Sequence, residues 1–90
     1  MTMELRHLRY FLAVAAEGNV TRAAERLHIS QPPLSQQLKD LERTLGVTLL
    51  NRSTQGVTLT AAGQAFRDEA HHILQAAEQA RLVAVRAAKG

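Results

Sequence analysis

Apolar residues recur along the first half of the chain at helical spacing. Leu5, Leu8, Phe11, Leu12 and Ala15 fall on one face, and Gly18-Asn19 then breaks the pattern, which predicts a first helix over residues 5–17. Thr21 is placed to cap a short second helix with Ala23, Ala24 and Leu27 facing inward, ending near His28. His28 falls in the following turn, where a left-handed backbone suits His better than a β-branched residue. The pair Pro32-Pro33 fits only a first helical turn, where a missing N–H costs little. Leu34, Leu38, Leu41 and Leu45 then repeat at four, three and four, so a third helix runs to Leu45 and stops at Gly46.

The pattern changes after Gly46. Val47 to Arg52 and Val57 to Thr60 are rich in β-branched and aliphatic residues, and Ser53-Thr54-Gln55-Gly56 between them reads as a turn. A hairpin directly after the third helix has the place of a wing. Thr60 is positioned to cap a last helix that meets no proline before Lys89, a rod of about 45 Å that so small a domain cannot bury. On it Phe66, Ala70, Ile73, Ala77, Ala80, Ala84 and Ala87 alternate steps of four and three, the seam spacing of paired helices, with Leu74 one step off the seam. The expected fold is mainly α. Residues 1–59 form a winged helix-turn-helix of three helices and a two-stranded wing, and residues 60–90 form a long linker and dimerisation helix.

Composition narrows the function. Ninety residues, 46% hydrophobic, suffice for one small core and no second domain. Basic residues outnumber acidic ones by eleven to eight, and the pI is about 10.2, which favours a polyanionic partner. No basic tail carries the excess, so any contact with DNA must come from positioned side chains. The absence of cysteine excludes a disulfide framework, a thiolate nucleophile and a Cys-ligated zinc site. His71 and His72 point about 100° apart on a helix and cannot readily share an ion, so neither metal nor cofactor is expected. Acids and bases scatter over helical surfaces without the convergent set that catalysis needs. The start lacks the apolar run of a signal peptide, and no stretch of about 18 apolar residues could span a bilayer, so a cytoplasmic protein without membrane contact is expected.

Two short helices joined by a tight turn, the second with a polar amino-terminal face, suit the DNA major groove. That face carries Gln31, Ser35 and Gln36, which donate and accept as base edges require, and Gln matches adenine best. The helix start at Ser30 and Gln31 offers N–H groups to a phosphate. Thr21 and Lys39 join the candidate contacts, and Arg22 and Arg26 fit either phosphate contacts or solvated surface. Tyr10 and Phe11 suit packing better than base stacking. A winged helix used only for protein contact is the competing class.

The blocks Leu5-Arg6-His7-Leu8-Arg9-Tyr10-Phe11, Thr21-Arg22-Ala23-Ala24-Glu25-Arg26-Leu27, Ile29-Ser30-Gln31-Pro32-Pro33-Leu34-Ser35, Leu41-Glu42 with Leu45-Gly46, Leu49-Leu50-Asn51-Arg52 and Leu59-Thr60-Ala61-Ala62-Gly63 resemble, in order and spacing, the LysR family of transcription regulators. The resemblance implies that Gln31, Pro32, Pro33, Ser35 and Gln36 approach bases and phosphates of double-stranded promoter DNA. It implies that Arg52 belongs to the wing contact at the flanking minor groove and that the last helix pairs with its twin. Many relatives carry arginine where this chain has Gln55 and Gln36, which implies weaker phosphate and minor-groove attraction here. The family normally adds a carboxy-terminal inducer-binding domain, absent from these ninety residues, and the resemblance implies a small-molecule inducer for that domain and a tetramer for the full-length protein.

Overall fold

The computed structural model describes residues 2–90, with α1 (Leu5–Glu17), α2 (Val20–Leu27), α3 (Gln31–Leu45), β1 (Leu50–Ser53), β2 (Gly56–Leu59) and α4 (Ala61–Lys89) in chain order. The first three helices end where a residue adopts the left-handed conformation. Gly18 (φ 65°) closes α1, His28 (φ 58°) closes α2 and Gly46 (φ 73°) closes α3. His28 is thus the expected non-glycine turn residue.

The cap of α2 differs from the sequence expectation. Asn19, in extended backbone directly after the glycine that ends α1, accepts the Arg22 N–H at 2.9 Å through Oδ1. Thr21 therefore lies inside the first helical turn, exposed. Both residue types cap well, and the chain reversal at Gly18 selects the earlier one.

Phe11 and Val14 of α1, Leu34, Leu38 and Leu41 of α3, and Leu49 ahead of the wing are all buried and form the centre of the core. Ala23 and Ala24 bring α2 close against them. The wing is an antiparallel pair in the register Leu50 with Leu59 and Ser53 with Gly56. Its first strand begins at Leu50 rather than Val47: the Val47 N–H closes the end of α3 on the Glu42 carbonyl at 3.3 Å, and the Glu42 carboxylate binds the N–H groups of Leu49 and Leu50 at 2.7 and 3.1 Å. The second strand is moored to the end of α1. Val57 N–H donates to the Gly18 carbonyl at 2.9 Å, and at Gly56 (φ 131°) a Cβ would stand 2.6 Å from that same oxygen.

Thr60 starts α4 as expected, accepting the Gly63 N–H at 2.9 Å and donating its hydroxyl to the Thr48 carbonyl at 2.7 Å. A Cβ at Gly63 would collide with the Leu49 carbonyl oxygen, so glycine lets α4 leave directly from the wing. The helix then crosses α1. Phe66 meets Phe11 edge to face with ring centroids 5.2 Å apart, and Ala70 is fully buried.

These contacts correct the expected dimer seam. Ala70 is buried within its own chain, Phe66 is half-buried between Phe11 and an open hollow lined by Leu45, Val47 and Leu49, and Leu74 and Ala77 are half-buried beside a cleft formed with Leu5 and Arg9. An alanine-rich helix repeats at three and four on adjoining faces, so spacing alone cannot separate the side that meets the core from the side that meets solvent. About a quarter-turn away run Ala62, Ala65, Ile73, Ala76, Ala80, Val83 and Ala87, with Ile73 and Val83 exposed. Beyond the core α4 projects as a rod, and the molecule is 53 Å long and 26 Å wide.

Candidate nucleic-acid interface

Leu34, Leu38, Leu41 and Leu45 turn one side of α3 into the protein, and at about 100° per residue Pro32, Gln36, Lys39 and Arg43 fall nearly opposite as an exposed ridge. Gln31 and Ser35 occupy one shoulder of this ridge, and Pro33 and Gln37 the other. The first shoulder borders a polar cleft of about 260 Å³ that also takes in Thr21 at the start of α2 and Arg52 to Gly56 of the wing. Thr21, Gln31, Ser35, Arg52 and Gln55, drawn from three parts of the sequence, are thereby brought together. Pro32, Gln36 and Lys39 lie on the ridge itself, while Ser30 and Pro33 belong to the far shoulder.

Side-chain bonds order this surface. Gln31 Nε2 donates to Ser35 Oγ at 3.2 Å, one turn along the helix. Gln36 Nε2 donates to Asp40 Oδ1 at 3.0 Å, and Arg43 Nη1 donates to the same oxygen at 2.9 Å. The bond from Gln36, reinforced by the hydrogen bond and charge of Arg43, holds the Asp40 carboxyl below the usual carboxylate range. Arg52 lies with Nη2 3.7 Å from Glu42 Oε1, so the expected wing cation is also tied to α3. At the wing tip Gln55 N–H donates to Ser53 Oγ at 3.2 Å, which leaves the exposed Gln55 side chain at the turn. Ser30 makes no side-chain cap bond to α3, and Pro32 and Pro33 remove two of the donors that a helix start normally presents. Anion attraction at this end therefore rests more on side chains than on backbone N–H groups.

Sequence reasoning missed two residues and one cleft. Asp40 places a negative charge beside Gln36, and an i, i+4 Gln–Asp spacing was the available signal. Glu42 joins α3 to the wing through residues seven and eight positions away, which no local periodicity reveals. A second cleft gathers Arg6, Tyr10, His28 and Gln37 from α1, the turn and α3. Among the described residues no group of three or more His, Asp or Glu side chains could hold a metal ion, and no helix is long and apolar enough to cross a membrane.

The ridge, its flanking cleft and the wing share one side of the molecule, the disposition of a DNA-reading head. The family model described as bacterial regulatory helix-turn-helix protein, lysR family, matches residues 5–64. The chain belongs to the LysR family. Among curated LysR relatives, the Hca operon transcriptional activator HcaR of Escherichia coli is 60% identical over 80 residues, covering 89% of this chain and 27% of its own length. The regulator ClcR of Pseudomonas putida is 51% identical over 88 residues, covering 98% and 30%. The chain thus spans under a third of these relatives. Among solved structures, the CbnR DNA-binding domain in complex with DNA superposes with a TM-score of 0.93 at 51% identity, covering 96% of this chain and 99% of that one. The BenM DNA-binding domain on catB site 1 DNA gives 0.94 at 45% identity, covering 98% and 99%. This chain is a winged helix-turn-helix DNA-binding domain of the LysR type, and its relatives are regulators rather than enzymes.

Proposed function

We propose that this chain is the operator-reading part of a cytoplasmic bacterial transcription regulator, with residues 1–59 as the reading head and residues 60–90 as a helix that pairs two copies. The observation that carries the reading is the alignment of the α3 ridge with the wing across one polar cleft, which lets a single copy address a major groove and the minor groove beside it. Gln36 and Ser35 read base edges. Arg52 supplies attraction independent of sequence while bracing the wing, and Gln55 occupies the wing tip. The superposable domains of CbnR and BenM, which were crystallised on DNA, support this reading.

Two copies paired through α4 would place two reading heads on one face of the duplex and select a roughly two-fold symmetric operator. An inducer would act on a further domain of the complete regulator, as a resemblance to HcaR and ClcR suggests. Selection of bound duplexes from a random library, followed by titration of the winners at two salt concentrations, tests the proposal. A two-fold symmetric motif bound with steep salt dependence is the expected result. Salt-independent or absent binding would instead favour a protein-interaction module.

A further inference from the structure

Duplex DNA walls its major groove with a phosphodiester strand on each side, so a recognition helix seated there meets two backbones. The cleft on the first shoulder of α3, with Arg52 and the wing, faces one of them. On the opposite shoulder Pro33 and Gln37 border a second cleft of about 430 Å³, closed by Arg6 and Tyr10 of α1 and by His28 and Ser30 around the turn.

Arg6 is exposed and makes no ion pair among the described residues. Its Nε donates to Gln37 Oε1 at 3.2 Å, a bond across thirty-one residues that fixes the guanidinium beside α3 and leaves the terminal nitrogens for another acceptor. His28 has its backbone locked at φ 58°, and its exposed imidazole stands at the same mouth. A cationic fork, an imidazole, a phenol and a hydroxyl rim a recess whose floor, with Ile29 and Pro33, is more apolar than polar, which suits the charged oxygens and apolar sugars of a phosphodiester strand and offers no base-reading pattern.

We propose that this cleft is a second DNA-backbone site, in which Arg6 binds a phosphate of the strand that the wing does not reach and Gln37 acts as a positioning residue for its guanidinium. The proposal rests on the reading of α3 as the recognition helix. It makes α1 part of the interface and gives the domain a grip on both walls of the groove, which sets the tilt of α3.

The test is phosphate-ethylation interference with the ninety-residue chain on the best duplex recovered from the random library, paired with a salt titration. Wild-type protein is expected to show two clusters of sensitive phosphates, one on each strand. Arg6→Ala should erase only the cluster away from the wing, weaken all sequence variants by about tenfold alike and lower the salt slope by about one. Arg6→Lys, which keeps the charge, should retain the slope but bind less tightly than wild type. A melting temperature equal to wild type for each variant would show that the exposed site was altered without unfolding. Survival of both clusters and an unchanged slope in Arg6→Ala overturns the second site alone. Absence of salt-dependent binding by the wild-type chain overturns the reading of α3 on which it rests.

Discussion

Gln36 shows how a residue's chemistry depends on its neighbours. Read in isolation it is a free amide poised for adenine, yet in the fold its Nε2 donates to Asp40 Oδ1 at 3.0 Å. Reading a base acceptor requires that bond to be exchanged, and the carboxylate it leaves stands one turn along the same ridge. Because the Asp40 pKa is lowered in the fold, its interactions with Gln36 and Arg43 favour the folded state above the unfolded pKa. That contribution is lost only as pH falls through the lowered folded value. Asp40 is consequently a fixed negative charge near neutral pH, and on the proposed reading it opposes the attraction of Lys39 for phosphate. Asp40→Asn should tighten binding to a mixed-sequence duplex by about three- to tenfold at low salt, the gain fading as ionic strength rises. Fluorescence-anisotropy titrations at several salt concentrations check this, and equal affinity for mutant and wild type would mean that the ridge does not approach phosphate. Gln36→Ala in the same assay should cost about 1 to 3 kcal/mol on the selected duplex and relax preference at one base pair.

Among the elements, α3 and the wing act as one unit because Glu42 joins them. Its carboxylate accepts the Leu49 and Leu50 amides at the root of β1, and its other oxygen lies 3.7 Å from Arg52. Glu42→Ala leaves two partly buried donors without their acceptor and should cost about 2 kcal/mol or more of stability, measured by urea unfolding. Arg52→Ala should cost much less, since a partly exposed pair is worth about 0 to 1 kcal/mol. Equal losses would assign the anchoring to the ion pair instead of the amides. This joint also marks where the sequence was legible. Helix ends at Gly18, His28 and Gly46 were readable because each depends on a local backbone conformation that few residues adopt. The start of β1 was not, since the N–H groups just before and at its first residue are held by Glu42, seven and eight residues away. Asn19 is the stronger cap by chemistry, but the sequence pattern assigns it to the break that ends α1, and only the chain path after Gly18 shows it opening α2. The Arg6 cleft was hidden for a related reason, because its lining comes from three elements that look ordinary one at a time.

At the scale of the whole molecule, the question is what covers α4 beyond the core. Ala70 is buried against the core and half-buried Phe66 packs on Phe11, yet the exposed stripe through Ile73, Ala76, Ala80, Val83 and Ala87 continues into an apolar hollow lined by Leu45, Val47, Leu49 and the free side of Phe66. Alanines let two backbones approach closely but bury little area, so Ile73 and Val83 must supply most of the attraction, at about 1.5 to 3 kcal/mol for each side chain fully buried. A spacer helix stabilised by alanine propensity alone would need no such stripe. Ile73→Glu and Val83→Glu should therefore each shift the chain toward monomer in sedimentation equilibrium without lowering the melting temperature of the reading head. Phe66→Ala should in addition destabilise the fold by about 2 to 4 kcal/mol through its lost contact with Phe11, because Phe66 stands at the border of the two faces. Pairing through this stripe, as proposed, would set the distance between two α3 ridges, so the two Glu variants should lose far more affinity for a two-fold symmetric duplex than for a half-site. If Ile73→Glu and Val83→Glu stayed dimeric, or lost affinity equally on both duplexes, the exposed stripe would not be the surface that joins two copies.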